Sequence, residues 1–202
     1  MAEISFAGMA HMIHPSNKFH PIRCGHCNRD ISAHVIAEYG RGLPAINQWL
    51  ICPICSHGSV VDYDGITYPP PKFGDVLQGL PTEIEQAYSE ARNCISVKAF
   101  SSCTLICRKI LMHIAVDKGD DEGKKFVEYI TYLQQEGYIT AVMNSWVDQI
   151  RNAGNDSTHE IPPASEDKAK NIMLFTIQLL RNIYEMKFIA DQNIETSNSS
   201  NP

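Results

Sequence analysis

Two hydrophobic periodicities divide the chain. Between residues 21 and 63 apolar and polar positions alternate in short runs, as at 33–37, 49–51 and 59–63, which is typical of β-strands. From Thr82 onward the apolar positions recur every three or four residues, which is typical of amphipathic helices. The pattern therefore predicts a small β unit followed by a larger helical unit.

Five helices are predicted in the second part. The first begins with a capping box formed by Thr82 and Glu85, and the last begins after Ser165, which is a suitable N-cap residue. The predicted fold class is mainly α, a five-helix bundle preceded by a small β ribbon. The five apolar stripes lie at residues 84–95, 99–117, 124–135, 139–152 and 165–190.

The segments between and outside these patterns set the predicted domain boundaries. Three consecutive prolines at 69–71 indicate an extended linker. The N-terminal segment has no basic start and no run long enough to cross a bilayer, so neither a signal peptide nor a membrane span is expected. The predicted segments are a lead-in at 1–20, a ribbon at 21–63, a linker at 64–80, a helical bundle at 81–190 and a disordered polar tail at 191–202.

Two Cys-x-x-Cys pairs are the strongest chemical signal in the chain. Cys24 and Cys27 are followed, after 24 intervening residues, by Cys52 and Cys55. Each pair forms a tight turn with both thiolates on one side, and two such turns complete a tetrahedron of sulfur around Zn²⁺. We therefore predict a structural zinc site in a zinc ribbon, either as a platform for nucleic acid or protein or, as we favour, as a cap or docking element. Three nearby histidines are surplus to such a site: His26, His34 and His57.

The charge balance limits the partners. The 202 residues hold 17 Lys and Arg against 23 Asp and Glu, a net charge of −6, and neither half is basic. A broad electrostatic footprint on long duplex DNA is therefore not expected. Seven cysteines in a chain without a secretory leader indicate a reducing compartment, which predicts a cytoplasmic protein. Three of these cysteines lie on apolar helix stripes and are predicted core residues: Cys94, Cys103 and Cys107.

The longest connection between helices carries the other candidate chemistry. Residues 150–160 include Arg151, Asn152, Asn155 and His159 on a predicted bend. A cation that holds phosphate and an imidazole that moves a proton are together suited to RNA cleavage. The same polar groups are also suited to capping a helix end, and the residues alone leave both interpretations open.

Several of these features together resemble a known family. The ribbon, the proline-rich linker and residues 80–92 and 150–159 are similar to the domain-of-unknown-function family 4145, and the likeness covers about residues 24–186. The motif residues are Leu80-Pro81, Ile84, Tyr88-x-Glu90-Ala91-Arg92 and Ile150 through His159. The helical part resembles the HEPN superfamily of all-α domains, which are associated with prokaryotic defence, toxin–antitoxin systems and RNA cleavage.

The resemblance implies roles for the bend. Arg151 would bind phosphate, His159 would be the general acid or base, and Asn152 or Asn155 would orient groups, in a homodimer that needs no catalytic metal. The interval between Arg151 and His159 is longer than in active members of the superfamily. The leading expectation is therefore a HEPN-like binding protein of a prokaryotic or phage defence or toxin-type system, which recognises RNA, a nucleotide or a partner protein through Arg151, Asn155 and His159. The alternatives are a metal-independent ribonuclease that uses Arg151, Asn152 and His159, and a non-catalytic antitoxin-like scaffold.

Overall fold

The chain forms two compact units, residues 1–72 and residues 73–202, in the computed structural model. The structure describes residues 18–39, 47–143, 146–147, 150 and 164–198. Among these residues, no helix combines the length and the apolar character that crossing a membrane would require.

The first unit contains a five-stranded antiparallel sheet. Its strands follow the order of the chain, each paired with the next. Strand β1 is an edge strand, which accommodates Pro21 because an edge position does not need every backbone donor. The strands are β1 (Phe19–Arg23), β2 (Asp30–Tyr39), β3 (Asn47–Ile51), β4 (Gly58–Val61) and β5 (Thr67–Tyr68).

The apolar core of the sheet is small. Ala33 and Val35 of β2 alternate with exposed residues, as expected when one face of a strand is covered. The buried cluster contains only four residues in the part of the chain that the structure describes, namely Ala33, Val35, Leu50 and Val61. A core of this size stabilises a domain weakly, so the unit needs another source of stability.

The second unit is helical. Its elements are α1 (Thr82–Ser96), α2 (Phe100–Asp117), α3 (Phe126–Gln135), a 3₁₀ turn (Ala141–Met143), α4 (Glu166–Leu180), a π-helical turn (Arg181–Glu185) and α5 (Met186–Asn198). Helix α4 starts as its sequence suggests, because the Ser165 hydroxyl accepts a hydrogen bond from the Lys168 N–H at 3.2 Å. The core is built mainly from the apolar stripes of α1, α2, α3 and α4.

The predicted fold class, a mainly α five-helix bundle, is wrong. A five-stranded antiparallel sheet precedes the helices. Apart from the isolated helical residues Trp146, Val147 and Ile150, the described residues form four helical segments, since α4, the π-helical turn and α5 are continuous. The predicted fourth helix, 139–152, contains the 3₁₀ turn Ala141–Met143. A 3₁₀ turn has three residues per turn, and within it Val142 is 91% exposed, whereas the helical Val147 and Ile150 later in the same stretch are buried.

Residues 73–80, which the sequence placed in a linker, pack within the helical unit. Phe73 and Leu77 belong to its core, with Leu77 only 6% exposed. The backbone N–H of Gln78 donates to Glu185 at 3.0 Å. Gly79 lies so close to Phe188 that an added Cβ would be 2.4 Å from that side chain. This segment is therefore held by close contacts to the C-terminal helix.

Candidate metal centre

The two Cys-x-x-Cys pairs occupy equivalent turns of the sheet. The first pair lies between the end of β1 at Arg23 and the start of β2 at Asp30, and the second lies between the end of β3 and the start of β4. In each turn the first cysteine accepts and donates the same backbone bonds. In the first turn, the Asn28 N–H donates to Cys24 O at 2.8 Å and the Cys24 N–H donates to Arg29 O at 2.9 Å. In the second turn, the Ser56 N–H donates to Cys52 O at 2.9 Å and the Cys52 N–H donates to His57 O at 3.0 Å.

The turns need one residue with a positive φ, and glycine does not supply it. Asn28 and Ser56 have φ values of 58° and 59° at the equivalent positions of the two turns. Asparagine tolerates this left-handed conformation better than most residues, whereas serine adopts it less readily. Asn28 and Ser56 each lie four residues after the first cysteine of their turn, Cys24 and Cys52, and this shared spacing is the signal in the sequence that marks them.

Gly25 leaves room for a neighbouring segment of the backbone. A Cβ at this position would lie 2.0 Å from the carbonyl oxygen of Pro69 and 2.9 Å from that of Pro70. Two backbone oxygens cannot move aside as a flexible side chain does. Gly25 is therefore required because the proline-rich segment passes directly against the first turn.

The four sulfur atoms converge. The Sγ atoms of Cys24, Cys27, Cys52 and Cys55 all lie within 4.8 Å of one another, and they form a group that could hold a metal ion. Cys24 to Cys55 and Cys27 to Cys52 are each 3.8 Å apart. A tetrahedron with metal–sulfur distances of ~2.3 Å has edges of about 3.8 Å, so these separations fit a four-thiolate centre.

The four thiols influence one another's protonation. Burial opposes ionisation of Cys52, but the backbone N–H groups of Cys55 and Ile54 outweigh it and lower the pKa of the Cys52 thiol to about 7. The backbone N–H of His57 favours ionisation of Cys55, but burial and the other thiols raise its pKa to about 11. Four thiolates so close together repel one another, so a divalent cation is what allows all four to ionise.

The histidines near the centre have other partners. The rings of His26 and His57 stack with centroids 4.6 Å apart. His26 Nε2 lies 3.1 Å from the carbonyl oxygen of Gly58, and His57 Nδ1 lies 2.8 Å from that of Cys55. His34, on the exposed face of β2, contacts the ring of Phe19 at 4.7 Å. Among the described residues, the metal-binding group contains the four cysteines alone.

The remaining cysteines lie in the helical unit. Cys103 and Cys107 are fully buried, and Cys94 is half-buried. Cys107 is 4.0 Å from Cys103 and its thiol lies 3.5 Å from the sulfur of Met173. The neighbouring Cys103 thiol and burial raise the pKa of Cys107 well above its usual value. These thiols pack as apolar groups in the core.

The other predicted site residues, Arg151, Asn152, Asn155 and His159, lie outside the described residues. The motif Tyr88-x-x-x-Arg92, by contrast, is described, and its role is structural. The Tyr88 hydroxyl donates to Asp75 O at 2.7 Å, and Arg92 donates to the carbonyl oxygens of Phe73 and Gly74 at 2.8 Å each. Both side chains hold the segment that leads into α1.

Comparison with known proteins identifies the helical unit. No curated protein and no solved structure matches the chain. One family model, described as a domain of unknown function (DUF4145), matches residues 89–196, which is more than half of the chain. The matched range begins in α1 and ends in α5. The chain is thus a member of the DUF4145 family, and its cysteine centre lies outside the matched range.

Proposed function

We propose that Cys24, Cys27, Cys52 and Cys55 bind one Zn²⁺ ion and make the first unit a zinc ribbon. The proposal is supported by the convergence of their sulfur atoms within 4.8 Å. Four thiolates in tetrahedral arrangement favour Zn²⁺ or iron over harder cations. The cytoplasm, where we place the protein, keeps such thiols reduced.

The proposed zinc is structural. Four protein ligands fill a tetrahedral coordination shell and leave no position for a substrate. Among its described residues, the apolar cluster of this unit has only four members, so the free energy of metal binding contributes directly to folding. We infer that the zinc stabilises the ribbon as a cap or docking element.

Metal analysis of the purified protein tests this proposal. We expect one zinc ion per chain in the wild type and about half of that zinc content or less in Cys52→Ser. Mass spectrometry of the metal content measures both. Cys94→Ser is the matched control, because this thiol lies in α1 and should leave the zinc content unchanged. A chain that is fully folded without any metal, or one that carries iron in place of zinc, contradicts the proposal.

For the whole chain we propose a binding role without catalysis. The protein is a binding protein of a prokaryotic or phage defence or toxin-type system that recognises RNA, a nucleotide or a partner protein through Arg151, Asn155 and His159, most readily as a homodimer. Membership of the DUF4145 family and the residue types at 150–160 support this proposal. A guanidinium is the group best suited to hold phosphate or carboxylate with two hydrogen bonds.

Capture experiments with the tagged protein test the binding role. We expect RNA, nucleotide or a specific protein to be retained by the wild type and reduced at least about ten-fold by Arg151→Ala, a loss of roughly 1.4 kcal/mol. Cleavage of RNA in the presence of EDTA, abolished by His159→Ala, would instead identify a ribonuclease. A function in cells that survives both substitutions would instead identify a scaffold.

A further inference from the structure

A groove lies on the helical unit, beside the residues that follow α2 and α3. It consists of two adjoining cavities of about 420 Å³ and 330 Å³, and both are lined by Thr140 and Asn182. Cavities of this size are typical of small-molecule sites. The first cavity, here called the lysine lobe, is otherwise lined by Lys118, Gly137, Tyr138 and Ile183. The second, here called the amide lobe, is otherwise lined by Val142, Met143, Trp146 and Gln178.

One wall of the groove is an unusual element. Asn182 and Ile183 belong to the π-helical turn Arg181–Glu185 between α4 and α5. Such turns are rare and occur frequently at functional sites, because the widened turn redirects side chains. Arg181 anchors the turn through ion pairs with Asp75 at 2.8 Å and Glu185 at 3.0 Å. The turn is therefore held in place and presents Asn182 to both lobes.

The amide lobe can form hydrogen bonds with the edge of a planar ring. Gln178 Nε2 donates to Asn182 Oδ1 at 2.9 Å. After this bond, the Gln178 Oε1 can still accept a hydrogen bond and the Asn182 Nδ2 can still donate one. A nucleobase carries a matching pair of donor and acceptor on its edge.

The indole of Trp146 completes this lobe. Its ring is half-buried and meets Phe175 edge to face, with centroids 6.3 Å apart, which restricts its orientation. Bases stack on such aromatic faces whatever their identity. The lobe thus combines a stacking face with hydrogen-bonding amides.

The lysine lobe offers a held cation. Lys118 Nζ lies 2.8 Å from Asp117 and 4.8 Å from the centroid of the Tyr184 ring. The Tyr184 hydroxyl donates to the same carboxylate oxygen at 2.9 Å. These contacts hold the ammonium, and an exposed ion pair is weak enough for a phosphate to compete for it. Because Asp117 carries a negative charge that opposes phosphate, we expect the affinity for phosphate alone to be moderate.

We propose that this groove binds a mononucleotide, with its base in the amide lobe and its phosphate at Lys118. Thr140, shared by the two lobes, is then positioned for the ribose hydroxyls. None of the named lining residues belongs to residues 150–160, so the proposal does not rest on the role proposed for Arg151.

Calorimetric titration of the full, zinc-loaded chain tests the proposal. The probes are adenosine 5′-monophosphate, its guanosine, cytidine and uridine counterparts, adenosine alone and inorganic phosphate. We expect at least one of the four mononucleotides to bind with a stoichiometry of one molecule per chain. Its affinity should be about ten-fold higher than that of its nucleoside or of phosphate alone. Failure of all four mononucleotides to give a saturable titration overturns the proposal.

Variants separate the two lobes. Lys118→Met should weaken mononucleotide binding about ten-fold and leave nucleoside binding unchanged, whereas Gln178→Leu should weaken both. Lys109→Met is the matched control, because Lys109 lies on α2, the helix that ends just before Lys118, and lines a different cavity. Binding that survives Lys118→Met and Gln178→Leu together contradicts this location, and circular dichroism verifies that each variant is folded.

A further variant distinguishes this site from the proposed binding bend. Arg151→Ala should bind the mononucleotide as the wild type does. If Arg151→Ala alone abolishes mononucleotide binding, the groove is not the site. If the captured partner is lost in Arg151→Ala while mononucleotide binding persists, both proposals stand.

Discussion

Arg92 is a charged side chain that is buried in the helical unit. It is only 5% exposed, and its guanidinium donates to two backbone carbonyls, those of Phe73 and Gly74. The same group lies 5.6 Å from the centroid of the Tyr88 ring, close enough for a cation–π interaction. A buried charge with several partners is costly to remove, because the partners are then left without hydrogen bonds.

We expect Arg92→Met to destabilise the helical unit. The substitution keeps the apolar volume but leaves the Phe73 and Gly74 carbonyls without these donors, at a cost of about 3 kcal/mol. Denaturant unfolding followed by far-ultraviolet circular dichroism measures the change. Lys109→Met, on the exposed side of α2, should change stability by less than about 0.5 kcal/mol. Equal stability of the two variants would show that Arg92 is not a structural anchor.

Gly25 carries a second prediction at this scale. Gly25→Ala places a methyl group against the Pro69 and Pro70 carbonyls, so the first cysteine turn must shift. We expect zinc affinity to fall at least about ten-fold, or roughly 1.4 kcal/mol, in competition with a chromophoric chelator. Gly58→Ala is the control, since its added Cβ would meet Leu50 O at an ordinary 3.8 Å. The same loss in both variants would refute the role of the proline contact.

The cysteine turns join local sequence to a shared centre. Each turn supplies two thiols at the end of one antiparallel strand pair, β1 with β2 or β3 with β4. This arrangement was predictable, because Cys-x-x-Cys spacing itself imposes a tight turn. The strands β1 and β5 were not predicted. β1 contains Pro21, and β5 is two residues long, so neither shows an alternating pattern of useful length.

The helices were predictable to different degrees. Apolar residues that recur every three or four positions predicted α1, α2, α3 and α4, because burying one face of a helix imposes that period. The π-helical turn at Arg181–Glu185 has no comparable periodic signal, since one inserted residue hardly changes the apolar pattern. For this reason Asn182 and the groove were not identified from the sequence. The binding role of residues 151–159 remains a prediction.

Zinc binding should depend on pH. The pKa of Cys52 is lowered to about 7 and that of Cys55 is raised to about 11, so near neutral pH the thiols of the metal-free chain are incompletely ionised. Binding must then release protons, and affinity must rise with pH. We expect at least a ten-fold loss of zinc affinity between pH 8 and pH 6. Competition titrations corrected for protonation of the chelator measure it, and a flat profile would contradict four-thiolate binding.

Each unit of the whole molecule contains one of the two tryptophans. Trp49 lies in β3, and Trp146 packs against the core of the helical unit. We expect chelation of zinc to change the emission of Trp146→Phe, which retains Trp49, and to leave that of Trp49→Phe unchanged. An equal change in both variants would show that the metal stabilises the two units together.

The seven cysteines provide a second measurement on the intact chain. The reference is the time in which an alkylating reagent modifies a free peptide thiol completely. Within that time, we expect the reagent to modify no cysteine of the zinc-bound protein other than the half-buried Cys94. Chelation should expose four further thiols, while Cys103 and Cys107 stay protected because they are 0% exposed. Mass spectrometry of digested peptides assigns each site. Rapid modification of Cys103 or Cys107 before unfolding would contradict the buried sulfur cluster.

The paired cysteine turns also have a consequence for chain entropy. A metal that joins them closes a loop across the 24 residues between Cys27 and Cys52, so it restricts the unfolded chain much as a cross-link does. The entropic cost of closing such a loop grows only by about 0.6 kcal/mol for each doubling of its length. The connection between Tyr39 of β2 and Asn47 of β3 is therefore where this unit should best accept inserted sequence, such as a fluorescent or affinity tag, without losing its metal.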